Sequence, residues 1–501
     1  MKDDSVIVIG AGLGGLAAGC YLQMNGYKSH IFEHHSVPGG VAACWKRKGF
    51  LIDGGIHFIM GHRPGTGLYE VYRELGAAGD GRFVDLPTYG RYVDEITGRC
   101  VDVTGDLDAL ARDLGAFAPQ DTGVITEIIK GARTMKGVDM SEMGLSKPPE
   151  LTGWFDQVIT IWKMRRMLRL YAGKMSKSVD EYVSVVRDPW LREFLQGLFL
   201  PEVPVWFVCM LLALVADGQI GLLKRGCLDF VLAIERRFKE LGGEVTYKAK
   251  VERVLVENDT AVGVQLGDGT ERCAGTVVSA ADGHSTVYGM LGGKYLSDEM
   301  RRRYETWPLY RPYVIVTYGV AREFPGDPPF TGIKLREPIT VGGESVTGLL
   351  LRNMSYGPDF AAPGKTVMQV EFETEWDYWN ELQARDRRLY DAEKERVASE
   401  VLKRLETHYP GISSQVEMTD VATPYTIWRY TLNYRASYMG WVLTPETVKA
   451  RFERTLPGLA NFYLAGQWAM GGGVNSVLYS GQHVAQLLCK RDGKRFATNV
   501  A

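Results

Sequence analysis

Several common signatures are missing from this 501-residue chain. Its formal charge is only −2, with 58 basic against 60 acidic side chains, so no positive field is available to draw in nucleic acid. The seven cysteines, Cys20, Cys44, Cys100, Cys209, Cys227, Cys273 and Cys489, include no Cys-x-x-Cys pair. An odd, scattered set argues against a disulfide framework and a structural zinc site, and no metal is expected. No apolar run is long enough to span a bilayer: Val203–Ala216 holds 14 residues where ~20 are needed. A strand begins almost at once in "MKDDSVIVIG", which leaves no room for a signal peptide, so a cytoplasmic protein is expected. There is no internal repeat, no low-complexity stretch and no second G-x-G-x-x-G.

What is present reads as an ordinary globular protein, 45% apolar and 24% charged, long enough for two or three domains. Eleven tryptophans point to large apolar surfaces in a core or around an apolar ligand. The first residues, "SVIVIGAGLGGLAAGCYLQMNGYKSHIFEHH", predict strand, turn, helix and second strand. Gly10, Gly12 and Gly15 form G-x-G-x-x-G where the helix opens. Gly10 allows the tight turn, Gly12 the approach of a pyrophosphate, and Gly15 close packing of helix on strand, while free N–H groups at the helix start face the phosphates. Glu33 ends the second strand 18 residues beyond Gly15, where a ribose hydroxyl needs a carboxylate. A dinucleotide site follows. Further turns come next, Gly39-Gly40 and then Asp53-Gly54-Gly55 with His57, where a nicotinamide-binding unit would normally continue into another helix.

This order of motifs resembles the glutathione-reductase-like FAD superfamily, in the branch of amine oxidases and phytoene desaturases. The stretch "TPYTIWRYTLNYRASYMGW" (Thr423–Trp441) is similar to the pattern of the phytoene desaturase, carotenoid isomerase and retinol saturase group. The resemblance implies an α/β fold: an FAD-binding Rossmann domain carrying an inserted α+β substrate domain with a mixed sheet and a helical cap. It places the cofactor domain at 1–75, 218–295 and 455–495, and the substrate domain at 76–217, read as mostly helical, and 296–454. It implies FAD contacts at Gly10, Gly12, Gly14, Gly15, Glu33, Gly39, Gly40, Asp53, Gly54, His57, Val251, Ala281, Gly466, Gln467, Gly473, Val474 and Asn475. The C-terminal "FYLAGQWAMGGGVNSVLYSGQHV" would form the second half of that site, its three glycines letting backbone approach the flavin ring. The chain departs from the pattern at Val41-Ala42 after the Gly-Gly turn, at Gln467 where an acid is usual, and at His57 where a small residue is usual.

The implied activity is redox or isomerisation chemistry at carbon–carbon bonds of a long apolar alkene. A flavin amine oxidase and a non-enzymatic prenyl-binding escort are the alternatives; intact glycine motifs, Glu33 and Asp53 argue against the escort. His57 is the titratable candidate beside the ring, followed by Tyr430 and Arg429. Trp154, Trp162, Trp206, Trp428, Trp441 and Trp468 are candidates for an apolar tunnel, with core packing the competing reading. The basic stretch Lys163–Lys174, expected to be helical, would touch anionic lipid at the inner membrane face or be a solvated face, and Val203–Ala216 would dock at the interface or be a buried helix. Cys44 reads as a small buried hydrophobe rather than a flavin-linked or redox thiol.

Overall fold

In a computed structural model, the protein is described over residues 3–498 except 80, 140, 142, 143 and 166. Five parallel strands form the nucleotide sheet, in the order Glu244–Thr246, Lys28–Phe32, Ser5–Ile9, Thr276–Ser279 and Phe462–Leu464. The central strand is buried on both faces, which explains its run of β-branched residues. On one face Val6, Val8 and Val278 pack against helices Leu13–Met24, Cys227–Glu240 and Val474–Arg491. On the other, Ile7, Ile9 and Val277 meet Val254 and Val264 of a small antiparallel sheet, Val251–Glu257, Thr260–Leu266 and Glu271–Cys273. The alternating pattern of "VERVLVEN" and "AVGVQL" predicts those strands.

A seven-stranded sheet stands opposite, ordered Val416–Ala422, Tyr313–Val320, Thr366–Glu373, Glu344–Asn353, Phe330–Val341, Thr88–Asp94 and Cys100–Thr104. The helix Arg387–His408 covers one face through Val397, Val401 and Leu405. The other face presents Tyr313, Leu350, Glu371 and Glu373 to a central cavity. Residues 76–217, expected to be mostly helical, thus also contribute two strands to this sheet and a third, Phe83–Asp85, to a small sheet elsewhere. The strand Thr88–Asp94 joins the sheet parallel to Phe330–Val341, a pairing between segments too far apart for local pattern to reveal.

Helices Leu107–Phe117, Thr122–Met135, Pro189–Gly197 and Val205–Ala216 close the cavity from above around one apolar core. The apolar run is therefore a buried helix rather than an interfacial one. The single long basic helix expected across 153–175 is instead broken. It forms two pieces, Trp154–Met164 and the short turn of helix Leu168–Tyr171, between which i→i+3 bonds from Arg165 N to Trp162 O and Met167 N to Met164 O tighten the chain. Position 166 lies outside the described residues. No helix among the described residues is long and apolar enough to cross a membrane.

Candidate functional site

Strand Ser5–Ile9 ends at Gly10, and the helix Leu13–Met24 begins over Gly12 without a side-chain cap, leaving its first N–H groups to the cavity. A Cβ on Gly12 would meet no atom within 4 Å, whereas one on Gly15 would stand 2.0 Å from the carbonyl oxygen of Gly10. Gly12 therefore borders open space, and Gly15 is the contact at which helix and strand touch. Glu33 is buried yet lines the cavity; its Oε2 accepts from Ala11 N at 2.6 Å and its Oε1 from His35 N at 2.7 Å. Gly39 and Gly40 lie beside this turn, and Val251 and Ala281 line the same end. The neighbouring Asp282 accepts from Ser285 N and Tyr434 N, and burial pushes its carboxyl above the usual range.

The C-terminal glycines meet the same cavity from the opposite side. Gly466 follows strand Phe462–Leu464 and sits so close to the first helix that a Cβ on Gly14 would fall 2.8 Å from its Cα. Gly471 and Gly473 hold φ of 85° and 99°, a backbone favoured by glycine, and a Cβ on Gly472 would collide with Met439 at 2.4 Å. Each of the three glycines thus has its own reason. The helix Val474–Arg491 starts here, again uncapped by a side chain. Gln467, Gly473, Val474 and Asn475 line the cavity. Asn475 Oδ1 accepts from the Tyr72 hydroxyl at 2.7 Å, which turns its amide nitrogen the other way.

His57 also lines the cavity, with its Nε2 2.5 Å from Glu371 Oε2. Glu371 Oε1 accepts from Arg352 Nη1 at 2.9 Å, and that same nitrogen donates to the Asp53 carbonyl at 3.1 Å. Arg352 is 1% exposed, and its Nε and Nη2 find no partner among the described residues. Burial works to raise the Glu371 carboxyl, but the charges of His57 and Arg352 outweigh it and hold the group at about 2. A carboxyl held below its ordinary 4.5 stabilises the fold above that value and loses the contribution as pH falls toward about 2. An acid titration is thus expected to lower the urea midpoint between these limits, on the order of 3 kcal/mol in total. In Glu371→Gln that part of the pH dependence should vanish.

Not every expected residue reaches the cavity. Gly15, Asp53 and Gly54 lie behind its wall: Asp53 is buried, accepting from Gly55 N and Cys227 N at 3.1 Å each, and Gly54 packs on the Trp45 ring. Arg429 does not line the cavity; its guanidinium donates to the Tyr430 hydroxyl at 2.6 Å. Tyr430 does line the cavity, at its rim: it is 41% exposed, with its ring edge-on to His35. Trp206, Trp428 and Trp441 line the cavity, Trp468 is buried against Trp441, and Trp154 and Trp162 stand exposed on the surface. Cys44, expected as a small buried hydrophobe, is half-buried beside Cys227. Sequence reasoning missed Glu371 and Arg352, whose one signal is a charge inside an apolar strand, "VMQVEF" and "LLLRN". It also missed Asp282.

The cavity encloses about 1950 Å³, roughly twice the ~1,000 Å³ at the upper end of ordinary ligand pockets. Open space at Gly12, two uncapped helix starts and a buried, cavity-facing carboxylate fit a dinucleotide. Together with a parallel nucleotide sheet facing a mixed sheet and helical roof, they define a dinucleotide-dependent oxidoreductase. The chain belongs to the flavin containing amine oxidoreductase family, whose family model matches residues 13–489, and FAD is its cofactor. It is similar to the chloroplastic prolycopene isomerase of Arabidopsis thaliana, 24% identical over 86% of this chain and 73% of that protein. It is also similar to the neurosporene-forming phytoene desaturase of Cereibacter sphaeroides, 24% identical over 97% of this chain and 94% of the desaturase. The fold is shared with an oxidoreductase from Methanosarcina mazei at TM-score 0.62 and 17% identity, covering 96% and 100% of the two chains. It is shared too with cyclohexylamine oxidase from Brevibacterium oxydans at TM-score 0.60 and 15% identity, covering 98% and 100%.

Proposed function

We propose that this flavoenzyme acts on carbon–carbon bonds of a long, apolar alkene of the carotenoid or isoprenoid kind, by desaturation, saturation or isomerisation. The observation that carries this reading is the continuity of the cavity. One cavity is lined both by the terminal glycine turn and by His57, Phe58 and the apolar side chains of Tyr89, Leu198, Phe207 and Met210. Such a lining suits a hydrocarbon chain, which gains ~25 cal/mol for each Å² removed from water.

On this reading residues 1–75, 218–295 and 455–495 hold FAD, while 76–217 and 296–454 enclose the substrate. The Gly10–Gly15 turn takes the pyrophosphate, Glu33 the ribose, and the backbone around Val251 and Ala281 the adenine end. Gly466, Gln467 and Gly473–Asn475 take the ring end, where Asn475 offers an amide N–H. Bound FAD supplies hydride transfer. His57 is the group that holds or moves a proton there. Its Nε2 is committed to Glu371, so exchange with substrate runs through Nδ1. The apolar walls exclude water, and no chemistry is assigned to Arg429 or Tyr430. Chromatography of a polyene incubated with the holoprotein tests the reading. A product differing in number or geometry of double bonds is expected; unchanged polyenes together with flavin bleaching by a primary amine would overturn it.

The surface supports a peripheral encounter with the cytoplasmic face of a membrane. Trp154, Phe155 and Trp162 are 66%, 63% and 63% exposed on one helix, with Val158 and Ile159 exposed beside them. Arg165 and Lys174 flank this patch, and Met164 and Tyr171, close by in the chain, line the cavity. An apolar face rimmed by cations suits an anionic lipid surface, from which substrate could enter directly. Flotation with anionic vesicles should carry the wild type upward. A Trp154→Ser, Phe155→Ser, Trp162→Ser variant should stay behind with its thermal midpoint unchanged, and flotation of that variant would contradict the assignment.

A further inference from the structure

Behind the cavity wall lies a pair of thiols that the proposed chemistry does not use. Cys44 opens a hairpin, Cys44–Arg47 with Phe50–Asp53, and Cys227 is the first residue of the helix Cys227–Glu240. They are 183 positions apart in the chain, yet their sulfurs stand 3.6 Å apart. Glycines make room for both: a Cβ on Gly226 would be 3.1 Å from Cys44 Sγ, and one on Gly55 would be 2.8 Å from Cys227 Sγ. Leu228 N, in the first turn of the helix, points at Cys44 Sγ from 3.4 Å.

We propose that Cys44 and Cys227 are a redox-active dithiol, with Cys44 attacking and Cys227 resolving, that closes to a disulfide and pins the hairpin to the helix behind the FAD cavity.

The asymmetry between the two sulfurs assigns their roles. Cys44 is half-buried, so a small oxidant can reach its sulfur, which receives the Leu228 N–H in the first turn of the helix. Cys227 is wholly buried, and burial pushes its thiol up, with Cys44 and Asp53 adding to the rise. With hydrogen peroxide as oxidant, the Cys44 sulfur takes one oxygen to become sulfenic acid, the O–O bond breaks, and the other oxygen leaves as water with the thiol proton. The Cys227 sulfur then attacks Cys44 Sγ, the S–O bond breaks, and the oxygen departs as water with the thiol proton. Two thiols lose two electrons, and one peroxide becomes two waters. Closing the bond brings the sulfurs from 3.6 Å to ~2.0 Å. The cross-link ties together two segments that back Ala42 and Gly55, both on the cavity wall, so FAD should exchange more slowly from the oxidised protein.

The test treats holoprotein with a slight excess of hydrogen peroxide, then maps peptides without reduction and counts free thiols. Loss of two of the seven thiols and a Cys44–Cys227 linked peptide, both reversed by dithiothreitol, are expected. Cys227→Ser should stop at a Cys44 sulfenic acid trapped by dimedone, and Cys44→Ser should leave Cys227 reduced. The wild-type map stands even where a serine variant fails to fold. FAD release into an excess of an FAD-specific apoenzyme such as apo-D-amino-acid oxidase should slow on oxidation and recover on reduction. Cys44 passing to sulfinic acid with no linked peptide would overturn the pair. So would one zinc ion per chain shielding Cys44, Cys227 and the nearby Asp53 carboxylate, and an unchanged FAD release rate would overturn the pinning.

Discussion

Gly15→Ala is expected to abolish the folded flavoprotein, whereas Gly12→Ala should fold normally and lose FAD. The two glycines belong to one motif but face different surroundings. A Cβ at Gly15 would stand 2.0 Å from Gly10 O and 3.3 Å from the Ala280 side chain, so helix and strand must separate to admit it. Overpacking typically costs about 1–3 kcal/mol and occasionally more, and the upper end is expected here because the contact at 2.0 Å is backbone. Gly12 has φ of −69° and ψ of 174°, a backbone alanine adopts without strain, and nothing lies within 4 Å of its Cβ. The added methyl enters the open space proposed for the pyrophosphate. Soluble yield, thermal midpoint and flavin content of the two variants check this. A Gly12→Ala protein retaining full flavin would contradict the placement of the cofactor.

The second large effect is expected at Glu371. Glu371→Ala leaves Arg352 fully buried with its carboxylate partner gone and only the Asp53 carbonyl in reach. Stranding one member of a buried ion pair costs about 3–5 kcal/mol. The double variant Glu371→Leu, Arg352→Met removes both charges and should regain most of that stability, since the pair itself is worth little against an apolar replacement. Activity should not return with it, because His57 is then free to turn. Denaturant midpoints and turnover of the single and double variants separate the two roles. An Ala variant as stable as the wild type would refute the ion-pair account.

The first half of the cofactor site was legible because its physics is local. A tight turn, a close packing contact and a cavity-lining carboxylate, proposed to take the ribose, follow one another within thirty residues, and the sequence shows them in that order. The terminal glycines were legible for the same reason: Gly471 and Gly473 need positive φ, and Gly472 lies against Met439. Long-range partners were not. Glu371 meets His57 across 314 positions, and in sequence it is an acid inside a largely apolar stretch, "VMQVEF". Asp53 was assigned to the cofactor by its neighbours in the chain, but folding directs its carboxylate to Gly55 N and Cys227 N behind the wall. Arg429 and Tyr430 show how a motif fixes membership without fixing position. The short helix Pro424–Thr431 carries them to the rim beside His35. The tryptophans divide likewise, because an indole in a core and an indole facing a ligand give the same local pattern.

The central claim is that FAD and an apolar alkene meet in one cavity. Anaerobic mixing of the holoprotein with polyenes in vesicles, starting from oxidised and from reduced flavin, tests it most directly while flavin and polyene absorption are followed together. The account predicts a change in the polyene spectrum that requires bound FAD, with flavin bleaching or reoxidation where electrons move and neither where the double bond only changes geometry. It also predicts loss of that change in Gly12→Ala. A polyene altered equally by the FAD-free protein, or left untouched in both flavin states while an amine bleaches the flavin, would contradict it.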